Sequence, residues 1–218
     1  MKSPYRKIKT FIKEILNLRI NAQVPWRKEK DVRKILVGEL LLIRTKYEQA
    51  ATVYKEFWRS FPDGYVSSKD KQKALEILMK AGLKHRAEGI LKALEYLNQH
   101  GKDLNEFSFD DLKKIPYVSD YVASAVLFLS GKSNFLYPDS NIIRIFDRYF
   151  GIKGKDKTHP SQKQLKLLKI MIKNIKKEKK KRKFTINLLD FGLFICRPKP
   201  NCSICPLSNY CCYVLKYE

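Results

Sequence analysis

The chain has 218 residues, 44% of them hydrophobic, with 45 Lys and Arg against 22 Asp and Glu and a formal charge of +23. That apolar content buries a core and excludes a disordered tail, while the longest uncharged apolar stretch, Tyr121 to Gly131, is far short of the ~20 residues a bilayer-spanning helix needs. The charge excess draws polyanions, nucleic acid first among them; a thermophile's charged surface would raise acids alongside lysines, and here they do not rise.

The opening Met1-Lys2-Ser3-Pro4-Tyr5-Arg6-Lys7 lacks the apolar core of a secretory signal, so an intracellular protein is expected. Ile8, Phe11, Ile12, Ile15 and Leu16 then recur at helical spacing. After a break at Val24-Pro25-Trp26, the pattern returns at Ile35, Leu36, Glu39, Leu40, Leu42 and Ile43. Glu39 is a polar intruder: a carboxylate among such neighbours is costly unless it is paired or working, and the bland alternative turns it to solvent. Trp26 reads as core packing rather than as a stacking platform.

Breaks at Phe61-Pro62-Asp63-Gly64, Ala81-Gly82, His100-Gly101, Ile115-Pro116 and Tyr137-Pro138 cut the rest into helices of ordinary length. Ile142, Ile143, Ile145, Phe146, Tyr149 and Phe150 form one further stripe; Leu165, Leu167, Leu168, Ile170, Met171, Ile172 and Ile175 form another. The stretches 151–160 and 176–183 read as loosely structured, and the basic run from Lys176 to Lys183 as solvated charge rather than a site. No internal repeat of 20 to 50 residues is present, and no run alternates long enough to require a sheet. An all-α chain is expected.

All five cysteines fall in the last 23 residues, and Cys196, Cys202, Cys205 and Cys211 have the density of a four-sulfur ligand set, with Cys212 to spare. An intracellular compartment disfavours a disulfide framework. Zinc takes four thiolates in tetrahedral geometry and an iron–sulfur cluster takes the same four, so spacing alone leaves both open.

The segment Ile115-Pro116-Tyr117-Val118-Ser119-Asp120-Tyr121-Val122-Ala123 reads as a tight turn between helices, and Asp139-Ser140-Asn141-Ile142-Ile143-Arg144-Ile145 as an acid just ahead of another helix. Backbone N–H groups at such a turn form an anion site. Asp139 alone would be read as a helix N-cap.

Together these motifs resemble the helix-hairpin-helix DNA glycosylases with a C-terminal iron–sulfur cluster, the superfamily of endonuclease III and the adenine and mismatch thymine glycosylases. Their hairpin reads Leu-Pro-Gly-Val-Gly-x-x-Thr-Ala and their catalytic loop Val-Asp-x-Asn-x-x-Arg-Val; the order hairpin, aspartate, four cysteines is reproduced. Pro25-Trp26-Arg27, Val37 to Thr45 and Gly82 to Ala87 extend the similarity over most of the chain. Two departures stand out. Tyr117 and Ser119 replace both hairpin glycines, and the first cysteine interval is five residues instead of the usual six, which a shortened loop or Cys212 would absorb.

The resemblance implies two helical domains, a barrel over 28–138 and a cluster-bearing domain made of 1–27 and 139–218, with DNA in a cleft between them. It implies a [4Fe-4S] cluster on Cys196, Cys202, Cys205 and Cys211, structural rather than redox-active, with zinc as the alternative. Asp139 is expected to stabilise an oxocarbenium-like sugar cation. Bifunctional members place a Schiff-base lysine where this chain has Tyr121, so a monofunctional enzyme is expected. Glu39 matches a glutamate shared by adenine and mismatch thymine glycosylases. Arg44 is the expected wedge into the duplex; Val118, Ser119 and Tyr121 are expected hairpin contacts, and Arg197 and Lys199 expected phosphate contacts.

The partner implied is double-stranded DNA carrying a mismatched or damaged base, bound by a monomer without a membrane. Adenine glycosylases usually append a further domain; that absence, with Tyr121, tips the expected substrate toward thymine or uracil opposite guanine. Adenine opposite guanine or 8-oxoguanine is the first alternative, and a non-catalytic DNA-binding module with a zinc site the second.

Overall fold

The computed structural model describes residues 4–20, 22, 24–99 and 106–216, so the expected break at His100-Gly101 lies outside the described residues. Those residues are helical with no strand among them, as the all-α reading anticipates. The chain divides into two compact units, Gln23–Leu136 and the pair of segments Met1–Ala22 and Tyr137–Glu218.

In the first unit a 3-10 turn, Pro25–Lys28, leads into α2 (Val32–Leu42), counting α1 (Pro4–Asn17) as the first helix of the other unit. Then follow α3 (Tyr47–Ser60), α4 (Lys71–Met79), α5 (Lys84–Gln99), α6 (Phe109–Lys114) and α7 (Asp120–Leu129). Asp31 starts α2 by accepting a hydrogen bond from the Arg33 N–H at 2.8 Å, satisfying an N–H the helix itself leaves open. From Ile35 to Leu41 every residue of α2 is buried, so this helix serves as the centre on which α3, α5, α7 and the 3-10 turn pack. Gly38 makes that possible on one side: a Cβ there would sit 2.2 Å from ring carbons of Trp26, which is itself fully buried.

The boundary therefore falls ahead of residue 24 instead of at 27/28. Residues 24–27, expected with the cysteine-bearing part, belong with α2 because Val24 and Trp26 bury their side chains in this unit's core.

The second unit joins α1 to α8 (Ser140–Phe150), α9 (Gln162–Asn174) and α10 (Glu178–Asp190), which runs on into a short π-helical turn, Phe191–Ile195. Its core is aromatic. Phe11 of α1 lies 4.9 Å from Tyr149, 5.1 Å from Phe150, 6.1 Å from Phe146 and 6.4 Å from Phe184, ring centre to ring centre. Gly151 closes α8 in the left-handed region at φ 71°, and the buried Gln164 amide donates to the carbonyls of Ile143 (3.1 Å) and Ile152 (2.7 Å), tying α9 to the end of α8.

The stretch 151–160 is irregular, but 176–183 is not loose. From Glu178 it is the first half of α10, begun by an acid in the first turn and anchored by Phe184 and Leu188, both fully buried. The lysine run hid that helix because its apolar residues start only at Phe184.

Gly38→Ala is expected to lower unfolding stability by about 1–3 kcal/mol through overpacking against Trp26, measured by urea denaturation. Wild-type stability in that variant would mean that α2 and the indole have room to separate.

Candidate functional site

Glu39 is 3% exposed, which removes the solvent-facing alternative. Its carboxylate sits between two neutral donors: the Trp26 indole N–H reaches Oε1 at 2.9 Å and the Tyr121 hydroxyl reaches Oε2 at 2.9 Å. A buried acid held in this way cannot swing, and it fixes the phenol of α7 against α2. Trp26 is core, as read from the sequence, and has a polar task as well. The structure thus brings two expected site residues, Glu39 and Tyr121, into direct contact.

The hairpin joins α6 to α7. Val118 is buried and its N–H closes the turn onto the Ile115 carbonyl at 3.2 Å, while its own carbonyl accepts from Lys113 Nζ at 3.3 Å. Ser119 is exposed and caps α7 through its hydroxyl, which accepts from the Val122 N–H at 3.2 Å. Tyr117 keeps the left-handed backbone of the glycine it replaces, with φ at 67°, a conformation that costs a side-chain-bearing residue about 1–2 kcal/mol. Its ring lies over Gly89, where a Cβ would come within 2.8 Å.

Arg44 is the other non-glycine residue at positive φ (54°) among the described residues, and it lines the same cavity of about 300 Å³ as Tyr117, Leu83 and His85. The buried Arg86 donates to the carbonyls of Ile43 and Ala81, pinning the end of α2 just where Arg44 turns. Strain of this kind concentrates where a fold presents a ligand-binding surface.

In the other unit, Asp139 is the N-cap of α8. Its Oδ1 accepts from the Ile142 N–H at 2.8 Å and its Oδ2 from the Asn141 amide at 2.7 Å. Desolvation dominates around this half-buried side chain and pushes its carboxyl above the usual carboxylate range, against the pull of those bonds and of Arg144. The Asn141 carbonyl accepts in turn from Arg144 Nη2 (2.7 Å), which also donates to the Gly192 carbonyl (2.9 Å), while Nε donates to that of Cys196 (2.9 Å). A continuous chain of hydrogen bonds thus runs from the candidate carboxylate to the first cysteine. Gly192 allows it, since a Cβ there would come within 2.7 Å of Asn141.

Cys196, Cys202, Cys205 and Cys211 line one cavity with Phe191, Ile195 and Leu207, and Cys212 does not join them: its sulfur accepts from Lys7 Nζ at 3.1 Å. Burial raises the Cys196 thiol and pushes Cys205 up to about 11, so both hold protons until something displaces them. No three His, Cys, Asp or Glu side chains among the described residues converge on a single metal position. Arg148 holds the segment by donating to the carbonyls of Arg197 (2.7 Å) and Pro198 (2.8 Å), and Arg197 and Lys199 are exposed. Sequence reading gave Arg144 and Arg148 no task of their own and Asn141 at most a capping role; the Asn-x-x-Arg of the catalytic-loop motif was the signal available for Asn141 and Arg144.

No family model matches the chain. A thymine/uracil-DNA glycosylase of Pyrobaculum aerophilum is 33% identical over 87% of this chain and 83% of its own length, and a thymine-DNA glycosylase of Aeropyrum pernix is 31% identical over 87% and 86%. The chain belongs to the helix-hairpin-helix DNA glycosylase superfamily. This glycosylase also matches an adenine DNA glycosylase of Buchnera aphidicola at 32% identity, over 86% of itself but only 54% of that protein. A solved thermostable thymine-DNA glycosylase superposes with a TM-score of 0.78 at 27% identity, covering 97% and 98% of the two chains. An endonuclease III trapped on DNA shares the fold, with a TM-score of 0.72 at 17% identity. The family is one of enzymes, so the glycosylase is read as an enzyme and not as the non-catalytic module that the residues alone left open.

Trp26→Phe removes one donor from a buried carboxylate and is expected to cost about 1.5–3 kcal/mol of unfolding stability. In a double-mutant cycle with Glu39→Gln the two changes are expected to couple by about 1 kcal/mol or more; additive losses would mean that the indole and the carboxylate act independently.

Proposed function

We propose that the chain excises thymine or uracil opposite guanine from duplex DNA and leaves an abasic site without cutting the strand. The observation that carries the monofunctional part is the Tyr121 hydroxyl bonded to Glu39. A phenol held there offers no amine, so no imine to the sugar forms and no strand break follows. The substrate part is supported by the thymine and thymine/uracil specificities of the relatives that match over most of their own length.

In this mechanism the target nucleotide leaves the stack, at a cost of a few kcal/mol that a mismatch reduces. The N-glycosidic bond breaks with its electron pair passing to the base, which then takes up a proton. Positive charge grows on the sugar, and the Asp139 carboxylate, fixed by the Ile142 N–H and Asn141, stabilises it until water adds at the anomeric carbon. The wedge role belongs to Arg44, held at positive φ on the turn that Arg86 pins.

Asp139 works as the carboxylate, so the rate rises with pH as its proton is lost. Because burial raises its pKa, that limb is expected above the ~3.9 of an unperturbed aspartate. Duplexes with G/T, G/U and A/G mismatches, treated with alkali after incubation, test the assignment. Breaks at T and U only after alkali are expected; breaks without alkali would overturn the Tyr121 inference, and breaks at adenine alone would favour the reading that the Buchnera relatives support. Asp139→Asn is expected to lower the single-turnover rate by about 10²–10³-fold and to abolish the acidic limb.

The four cavity thiols fit a [4Fe-4S] cluster by donor chemistry. All four line one cavity and supply the four-thiolate set that such a cluster takes. The cluster would fix the geometry of the segment bearing Arg197 and Lys199. Protein purified without oxygen is expected to be brown with about four irons per chain; a colourless protein with one zinc would overturn the assignment.

A further inference from the structure

Between α8 and the irregular stretch that follows it runs a groove of about 690 Å³, a different cavity from the one the cysteines line and from the one that Arg44 and Tyr117 line. Its floor is one face of α8, from Ser140 through Arg144 to Arg148, about 12 Å long at the helical rise. Ser140 is the neighbour of Asp139, so the groove begins beside the carboxylate and ends at Pro198 of the cysteine segment.

Lys153, Lys155 and Lys157 form the opposite wall at alternate positions, all exposed. The N–H groups of Lys155 and Asp156 both donate to the His159 carbonyl, at 2.9 and 3.3 Å, and close the turn that presents the lysines. Of the two acids lining the groove, Asp156 is turned onto its own loop. Its Oδ1 accepts from the Thr158 N–H (2.6 Å), the Thr158 hydroxyl (2.8 Å) and the His159 N–H (2.7 Å), and its Oδ2 meets His159 Nδ1 at 2.8 Å. Asp147 is the other.

Among the described residues none of the three lysines has an ion-pair partner, whereas Lys181 in the denser run of α10 pairs with Glu178. Arg144 and Arg148 spend their N–H groups on backbone carbonyls yet keep their charge. Five cations against two carboxylates leave a cationic trough. Its own repulsion is relieved by a linear polyanion and not by a single small anion.

We propose that this groove binds consecutive phosphates of the DNA strand, a backbone contact separate from the hairpin. The inference rests on the reading that the chain acts on duplex DNA, and adds the residues that hold one strand beside Asp139. The three lysines supply affinity without sequence preference, by releasing counterions from the backbone.

The test uses the full chain and a lesion-free 20-bp duplex, with affinity measured by fluorescence anisotropy between roughly 50 and 200 mM salt. Lys153→Gln, Lys155→Gln and Lys157→Gln are combined and compared with Lys176→Gln, Lys177→Gln and Lys179→Gln, an equal charge change outside the groove. The groove variant is expected to make the slope of log K against log salt shallower by about 2–3, with the α10 variant close to wild type. Equal changes in both, or none in the groove variant, would overturn the proposal, because either result assigns the effect to net charge. Binding without excision by the wild-type chain would defeat the proposed activity and leave the groove standing; excision with an unchanged slope would do the reverse.

Discussion

Two arginines one turn apart on α8 organise the cysteine-bearing unit. After α10 the chain makes a π-helical turn and then runs irregularly, and four of its carbonyls take their donors from α8. Arg144 serves the carbonyls of Gly192 and Cys196, and Arg148 those of Arg197 and Pro198. Guanidinium suits this task because its planar fork reaches two acceptors at once and stays charged even when burial lowers its pKa, as it does for Arg144. The helix that carries both arginines begins at Asp139. Carboxylate and thiols are therefore positioned by one rigid element, and whatever sets the cysteine segment also sets the acid through Asn141.

In the other unit the governing constraint is a buried carboxylate. Glu39 sits in the stretch of α2 that is buried at every position from Ile35 to Leu41, where desolvation would be costly without donors on both oxygens. Those donors come from a 3-10 turn before α2 and from α7 after the hairpin, so three separated stretches must meet correctly before the acid is satisfied. Gly38 and Trp26 belong to the same arrangement: the indole reaches the carboxylate only because nothing projects from the residue beside it.

Much of this was legible beforehand because it is written in local pattern. Apolar spacing gives the helices, the hairpin motif gives the α6–α7 turn, and clustered thiols announce a ligand set. The unread parts are those whose partners lie far along the chain. Trp26 looked like core because nothing local shows its N–H meeting an acid 13 residues on. The motif marks Arg144 but not its acceptors, and nothing local marks Arg148, since the carbonyls they serve lie about 50 residues away. The first half of α10 was read as loose because seven of its cationic neighbours and one acid mask a helix whose anchors come later. The unit boundary moved for a similar reason, burial of Trp26 being a tertiary fact.

The tyrosine at the hairpin ties two distant positions into one evolutionary unit. Its ring occupies the space that any side chain at 89 would need, so residue 89 is free to vary only after residue 117 has become small. Glycine at 117 fits the present backbone unchanged, because φ already lies in the region glycine favours. The order of substitution is thereby fixed: loss of the aromatic group opens a path, whereas enlargement at 89 while Tyr117 remains pushes the α6–α7 turn off α5.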